Sequence, residues 1–394
     1  FGEASYDFGQ FKLTAGGRWY DFKEKRDFVS GGVFSNGDTR IGDKTKSSGF
    51  SPRVIGTWEP NNNLSVNVQA AKGFRLGGVN DPLDLPLCEP EDEALFGGFQ
   101  QYDDETLWNY EAGFKYQRRG VTFNAAVFHS RIRDLQVTLD AGSCSSRIVF
   151  NVPKAHTTGI EAEFAVSPAV GLDLSLAGSY VSAEFDSTLP EPLATSTGIR
   201  EGNRLPTVPK FQMAAAATYT SRFGDNAEWY VNASYQHVGS RYTQPSDQED
   251  NPRDFEHALA PLVPEGSITT IDLKLPSYDL VKLSAGISWD SGLEVVAYVN
   301  NLFDENALLS FDRERGGRAR LGYNVGTPRI IGLTLRQRFS AAPPPPPPPP
   351  PAPPPPLPPP ATQTCPDGSV ILATEACPVP PPPPPPPPPA PERG

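Results

Sequence analysis

The sequence lacks a long hydrophobic run, and no stretch approaches the roughly 18 apolar residues of a transmembrane helix. Its mean hydropathy is −0.40. These features exclude a membrane-spanning helix from the sequence. They do not exclude membrane-spanning β-strands, because only every second residue of such a strand needs to be apolar.

An excess of positive charge is also missing. The chain has 34 Lys and Arg against 46 Asp and Glu, which gives a net charge of −12. Nucleic-acid binding needs a basic surface that neutralises phosphates. The composition therefore argues against a nucleic-acid partner.

Catalytic and metal-binding motifs are absent from the sequence as well. It contains no H-E-x-x-H motif, no G-x-S-x-G elbow and no Gly-Lys phosphate loop. The four histidines are scattered without the spacing of metal ligands: His129, His156, His237 and His257. We therefore expect neither an enzyme nor a protein with a metal or another cofactor.

Cysteine is scarce, with four residues and no C-x-x-C spacing. Widely spaced cysteines are typical of disulfides formed in an oxidising compartment. We expect the pairs Cys88–Cys144 and Cys365–Cys377, although four cysteines allow three arrangements. A bond between Cys88 and Cys144 would join two predicted loops and limit their disorder.

Proline, in contrast, is abundant: most of the 46 prolines follow Phe339, where the foldable part of the chain must end. Just before this point, apolar and polar residues alternate with the period of a β-strand that has two different faces. The apolar face of this last strand consists of Ile331, Leu333, Leu335 and Phe339. Similar alternation recurs upstream and predicts about thirteen strands.

The connections between these strands alternate in length. Short turns are predicted near 9–10, 60–63, 118–120, 168–171, 223–226 and 290–292, and long polar loops at 28–46, 77–104, 187–205, 244–265 and 304–320. Aromatic residues lie beside the short turns: Phe8, Phe11, Trp58, Tyr116, Tyr219, Trp229 and Trp289. Together these features predict an antiparallel transmembrane β-barrel with its short turns and its aromatic girdle on the periplasmic side.

A soluble β-sandwich adhesin is the alternative fold, because its strands would also alternate. A sandwich, however, has no reason to place aromatic residues along one rim. The strand count is odd, and the last strand runs towards the periplasm. We therefore expect residues 1–339 to be the C-terminal part of a larger barrel that has an even number of strands, and Phe1 to begin inside a domain.

Five segments, in order along residues 1–339, resemble the strands of TonB-dependent outer-membrane receptors. They are FGEASYDFGQFKLTAGGRWYDFKE, SPRVIGTWEPNNNLSVNVQAAKGFRLGG, ETLWNYEAGFKYQRRGVTFNAAVFHSRIRDLQ, NVPKAHTTGIEAEF, and VVAYVNNLFDENA with GTPRIIGLTLRQRF. The resemblance implies a plugged barrel of the 22-stranded class. Such receptors bind a scarce ligand, most often a ferric siderophore, in other cases cobalamin or an oligosaccharide.

The resemblance also implies partners. The family contacts TonB through an N-terminal plug, and we expect that segment to lie outside residues 1–394. The outer-membrane lipid, with its lipopolysaccharide, and the barrel-assembly machinery are further expected partners. The assembly signal includes a terminal aromatic residue, whereas here Phe339 is followed by residues 340–394 and Gln337 stands where the family often has an aromatic. A passive outer-membrane diffusion porin is the alternative function.

Two groups of charged residues are candidates for the site. The ligand-loop group consists of Arg75, Asp81, Asp103, Asp104, Arg313, Arg315 and Arg318. Its arginines are expected to attract an anionic ligand, and a solvated surface is the alternative for the group. A second group lies on the polar faces of strands and is expected to face the barrel lumen, because charge is costly at the lipid face: Glu111, Lys115, Glu161 and Glu163.

The tail, residues 340–394, contains two polyproline blocks around the segment ATQTCPDGSVILATEACPV. Polyproline adopts a stiff extended helix that rises about 3.1 Å per residue. We expect a disordered periplasmic tail that carries a small loop closed by Cys365 and Cys377. A spacer without a partner is the alternative role.

Overall fold

The computed structural model describes residues 1–32, 39–144, 146–257, 262–264, 266–314, 317, 319–339, 362–364 and 370–372. The chain divides into two compact units, Phe1–Phe339 and Ser340–Gly394. In the second unit, strands at Thr362–Thr364 and Val370–Leu372 pair antiparallel.

The first unit is built almost entirely of strands. In chain order they are β1 (Gly2–Asp7), β2 (Phe11–Ser30), β3 (Thr39–Asn61), β4 (Leu64–Arg75), β5 (Gly78–Val79), β6 (Gln101–Tyr102), β7 (Glu105–Arg118), β8 (Val121–Asp140), β9 (Arg147–Ala169), β10 (Leu172–Phe185), β11 (Phe211–Phe223), β12 (Ala227–Val238), β13 (Arg241–Tyr242), β14 (Arg253–Glu256), β15 (Ile268–Ile271), β16 (Lys274–Leu275), β17 (Tyr278–Trp289), β18 (Leu293–Asn300), β19 (Leu308–Glu314), β20 (Arg320–Val325) and β21 (Ile330–Gln337). The helices are short: α1 (Pro90–Phe96), α2 (Leu193–Thr197) and 3₁₀ turns at Leu85–Leu87, Gly142–Cys144 and Pro245–Gln248.

None of the helices in the described residues is long and apolar enough to cross a membrane.

Thirteen of the strands form one antiparallel sheet in which spatial neighbours are also neighbours in chain order. The order is β1-β2-β3-β4-β7-β8-β9-β10-β11-β12-β17-β18-β21. Strands β1 and β21 are the two edges and do not pair with each other, so the sheet is open. The predicted all-β antiparallel fold with about thirteen strands is confirmed.

The two faces of this sheet differ, as the alternation predicts. On β7, Trp108 and Tyr110 point away from the concave side and expose 37% and 43% of their surface. The apolar residues of the last strand are exposed in the same way: Ile331, Leu333, Leu335 and, just beyond it, Phe339. Apolar exposure over so large an area indicates a surface that contacts an apolar phase.

Short turns join the strands at one end of the sheet. The turn between β9 and β10 requires glycine at position 171, where φ is 78° and a Cβ atom would lie 2.0 Å from the carbonyl oxygen of Thr220. A larger residue would therefore be excluded both by its backbone conformation and by the neighbouring strand.

The long connections at the other end differ from the predicted polar loops. Most of segment 28–46 belongs to a hairpin formed by the ends of β2 and β3, and β19 pairs with β20 across segment 304–320. Buried apolar clusters form in these connections, around Phe185, Phe96 and Phe255. We call residues 76–104, 135–152, 186–210, 239–277 and 301–329 the loop cap. The buried core of the first unit lies largely in this cap.

Candidate functional site

The concave face of the sheet forms a pocket of about 710 Å³ that polar, charged and apolar residues line together. All four residues expected to face the lumen contribute to its lining: Glu111, Lys115, Glu161 and Glu163. The strand register explains this arrangement, because Glu163 lies opposite Asn124 and Glu161 lies opposite Ala126 on the neighbouring strand β8. The sheet thus gathers charged side chains from β7 and β9, the two strands that flank β8, onto one surface.

Neutral polar side chains continue this surface between the charges. Gln69 Nε2 donates a hydrogen bond to Glu111 Oε2 over 3.0 Å, and Asn124 Nδ2 donates to Glu163 Oε2 over 3.4 Å. Within the described residues, neither Lys115 nor Glu161 has an ion-pair partner at 4.0 Å or less. The concave face can therefore bind water, or the polar and charged groups of a ligand.

The candidates on the acidic loop have different surroundings. Asp104 is structural, because its Oδ1 accepts hydrogen bonds from Ser47 Oγ and from the Gly77 backbone N–H. Asp103 helps to hold the cap through its backbone N–H, which donates a hydrogen bond to Asn151 Oδ1 over 2.7 Å. Arg75 and Asp81 have exposed side chains at the base of the cap. Among these candidates, the exposed side chains of Arg75, Asp81 and Asp103 can meet a ligand from solution.

Arg313 lies inside the cap. Its side chain is 6% exposed and pairs with Asp247, whose side chain is 0% exposed. The guanidinium also lies 5.1 Å from the ring centre of Phe311 and 5.9 Å from that of Phe255. In this structure Arg313 therefore joins two segments of the cap and does not form part of its outer surface. Arg315 and Arg318 lie outside the described residues.

Cys88 and Cys144 form a disulfide, with their Cα atoms 4.1 Å apart. The bond connects segment 76–104 to the end of β8. Asp92 supports it, because its Oδ2 accepts hydrogen bonds from the backbone N–H and from Oγ of Ser143, over 2.7 and 2.6 Å. The cap is thereby fastened covalently as the sequence predicts. Cys365 and Cys377 lie outside the described residues.

Buried polar residues of the cap were not identified from the sequence. Gln136 is 7% exposed and donates to the carbonyl oxygens of Leu76 and Asp103. For Asp247, a signal was available: Pro245 at the start of a turn, followed by an acid, is a typical helix-start pattern. Its carboxylate accepts the Gln244 backbone N–H over 2.9 Å.

The cap also changes the acidity of one of its carboxyl groups. Burial raises the pKa of Asp140, at the end of β8, and the Arg147 guanidinium beside it opposes that rise. Arg147 Nε lies 3.3 Å from Asp140 Oδ1, and Gln244 donates to the other oxygen over 2.7 Å. Asp140 thus links two segments of the cap, 135–152 and 239–277.

Asn80 offers a direct test of how the cap is held. It is 6% exposed; its Nδ2 donates to the carbonyl oxygens of Phe99 and Val149, and its Oδ1 accepts from the Val149 N–H over 2.8 Å. Asn80→Ala should destabilise segment 76–104 by about 1–3 kcal/mol, because it leaves buried backbone groups unsatisfied. Hydrogen exchange at the Val149 amide should accelerate accordingly. Asn324→Ala, at an exposed site, is the control, and equal effects of both variants would contradict the prediction.

These observations first define a class of protein. An antiparallel meander with an apolar outer face, a polar concave face, short turns at one end and long connections at the other is the wall of a transmembrane β-barrel. The family model described as "TonB dependent receptor-like, beta-barrel" matches residues 1–302. The chain belongs to this family, whose members are receptors and transporters of the outer membrane, so the predicted resemblance is confirmed.

Individual relatives are distant. The pesticin receptor of Yersinia pestis is 24% identical over 276 residues, which cover 70% of this chain and 34% of that receptor. The iron-regulated outer membrane virulence protein of Vibrio cholerae is 23% identical over 280 residues, covering 67% of this chain and 37% of that protein.

Among solved structures, the ferric yersiniabactin uptake receptor FyuA from Yersinia pestis superposes with a TM-score of 0.65 at 18% identity. The superposition covers 86% of this chain and 45% of that receptor. The chain thus spans less than half the length of each of these relatives.

Proposed function

We propose that this chain forms the C-terminal part, residues 1–339, of a barrel that imports a scarce ligand across the outer membrane with energy supplied through TonB. The observation that carries the proposal is the packed cap at one end of a charged, concave strand wall. A disulfide, a buried ion pair and buried amides order the cap. An ordered cap suits selective capture of a ligand, because preorganised groups bind without a large cost of ordering.

The ligand we propose is a ferric siderophore. Two relatives are named for iron, the ferric yersiniabactin uptake receptor and the iron-regulated virulence protein, which supports this class of cargo. Arg75 and Asp81 at the base of the cap are the candidates for the first ligand contacts. Glu111, Lys115, Glu161 and Glu163 would line the path and face a plug, which in the complete receptor would also contact TonB.

Uptake assays on the complete protein test this function. Iron-limited cells that express it should accumulate iron from a panel of ferric siderophores only while TonB is active. A passive porin would take up small solutes equally well without TonB, and such a result would refute the proposal. Assays with each siderophore separately would identify the ligand.

The remaining assignments are part of the same proposal. Residues 340–394 would extend into the periplasm as a proline-rich tail with the Cys365–Cys377 loop. The last strand, β21, would form the seam of the closed barrel and would be inserted by the barrel-assembly machinery. The exposed apolar face would contact outer-membrane lipid.

A further inference from the structure

Arg241, the first residue of β13, is a buried cation of the loop cap with an incomplete set of partners. It is 6% exposed. Its Nη2 donates to the carbonyl oxygens of Leu308 and Leu309 over 2.9 and 3.0 Å, and its guanidinium lies 5.3 Å from the ring centre of Tyr278. Its Nη1 is also buried and has no hydrogen-bond partner among the described residues. One edge of the guanidinium therefore remains able to donate.

The charge of Arg241 is not paired either. In the part of the chain that the structure describes, no carboxylate lies within 4.0 Å of it, whereas the similarly buried Arg313 pairs with Asp247. Burying a cation without a paired anion is costly, and backbone carbonyl groups offer dipoles in place of a full negative charge. An anion that reached Arg241 would therefore gain from its charge and from its unpaired N–H.

The position of Arg241 connects the cap with the concave face. Tyr278 lies opposite Val238 on β12, and Val238 lies opposite Gln212 on β11. Directly opposed residues of adjacent strands share one face of the sheet. Because Gln212 lines the concave pocket, the ring of Tyr278 belongs to the concave side, and the guanidinium beside it lies where the concave wall meets the cap. A ligand that moves from the cap to the pocket would meet Arg241.

The chain that covers Arg241 is irregular at this point. The register between β19 and β20 shifts around Leu309, which is left out of the strand pairing and is 40% exposed. Two residues further on, the Phe311 N–H donates to Thr243 Oγ1 over 2.8 Å. A bulge disrupts the ladder locally, and bulges are frequent beside functional sites. The two carbonyl groups can therefore move away from the guanidinium while the rest of the hairpin keeps its contacts.

We propose that Arg241 binds a carboxylate group of the imported ligand when the bulge at Leu309 moves aside. The inference rests on the proposed function and adds to it a residue that selects the ligand. A guanidinium forms two parallel, charge-assisted hydrogen bonds with a carboxylate, because the two groups match in geometry. A carboxylate thus binds more strongly than the two backbone carbonyls do, and this difference in affinity shifts the cap towards the displaced bulge.

Hydrogen exchange with citrate tests the site without iron, TonB or a known siderophore. The complete protein, purified in detergent, is incubated with citrate or with its uncharged trimethyl ester. Citrate should accelerate exchange at the amides of residues 307–310 and leave the Phe311 amide unchanged, and the ester should have no effect. Arg241→Gln should raise the citrate concentration that gives half of the effect roughly 10–100-fold, the contribution of a hydrogen bond to a charged group.

Arg204→Gln is the matched control. Arg204 also donates to two carbonyl oxygens, those of Val208 and Ser240, over 2.7 and 3.0 Å, and it lies 5.9 Å from the ring centre of Tyr242. It is partly exposed, however, and it has no buried nitrogen without a partner. The response to citrate should therefore be the same in Arg204→Gln as in the unaltered protein.

Three results would contradict the proposal. An equal citrate response in Arg241→Gln and the unaltered protein would overturn it, and an equal effect of inorganic phosphate would overturn the assignment to carboxylates. TonB-dependent uptake of a carboxylate-bearing ferric siderophore that Arg241→Gln leaves unchanged would refute the role of Arg241 and keep the proposed function. A citrate response that requires Arg241, without any TonB-dependent uptake, would refute the proposed function alone. If the glutamine variant misfolds, Arg241→Lys should fold and need an intermediate citrate concentration, because lysine keeps the charge without the planar fork.

Discussion

Replacement of Arg313 by alanine is expected to destabilise the loop cap by about 3–5 kcal/mol, because it leaves a fully buried carboxylate without its partner. Asp247 has no exposed side-chain surface, and Arg313 has 6%. Two further cations come near this site, but Arg253 directs its Nη2 to the carbonyl oxygen of Ser246, and Arg147 pairs with Asp140. Arg147 therefore does not replace the lost charge, whereas the charge of Arg253 still acts on Asp247 and offsets part of the loss.

Hydrogen exchange measures this effect locally. Amides in segments 244–256 and 308–325 should exchange much faster in Arg313→Ala, while amides in the middle of β7 and β8 should be unchanged. Arg320→Ala is the matched control on the same hairpin, since its side chain is 69% exposed and its ion pairs are exposed as well. Exposed pairs contribute only about 0–1 kcal/mol. A control effect as large as that of Arg313→Ala would refute the role of burial.

A double variant separates charge from packing. Arg313→Met with Asp247→Leu removes both charges while it keeps apolar contacts near Phe255 and Phe311. Replacing a buried ion pair by apolar residues is often neutral or stabilising. Segments 244–256 and 308–325 should then recover most of their protection. If they do not, the hydrogen bond of Asp247 to the Gln244 backbone is the dominant contribution.

The strand wall could be predicted from the sequence because it depends on a local rule. Successive side chains of a strand point to opposite faces, so Trp108 and Glu111 are assigned to different faces by their positions alone. Lipid and water then impose different compositions on those faces. For the same reason, the lumen candidates Lys115 and Glu163 could be named in advance, and the structure places them on one concave surface.

The cap could not be predicted in this way, because its structure depends on contacts between residues far apart in the chain. Arg313 and Asp247 are 66 positions apart, and Asn80 contacts Val149 from 69 positions away. In each segment taken alone, these side chains look like ordinary polar loop residues. Only the packing of several connections over the same barrel end buries them, and packing of that kind leaves no periodic signal in the sequence.

Cysteine is the exception in the cap, because the residue type that forms the covalent bond can be recognised in the sequence. Removal of the bond with Cys88→Ala and Cys144→Ala is expected to reduce the stability of the ordered cap by about 4 kcal/mol, from the closure entropy of a loop of this length. The two residues are 56 positions apart in the sequence. Most of the strand wall between them, β7 and β8, should remain paired.

Proteolysis reports this change where it occurs. Digestion of the unaltered protein without reductant should yield a peptide that joins Cys88 to Cys144, and two free thiols would contradict the bond.

In the double variant, segment 76–104 should be cleaved much faster than in the parent. Ser143→Ala is the comparison variant, because it removes the hydrogen bond to Asp92 and the one accepted from the Glu89 N–H while it leaves the disulfide, so about 2 kcal/mol is expected. If both variants are cleaved at the same rate, the local hydrogen bonds order this segment and the disulfide adds little. If only the double variant opens, the covalent bond between β8 and the acidic segment is what holds Asp81 in place for a ligand.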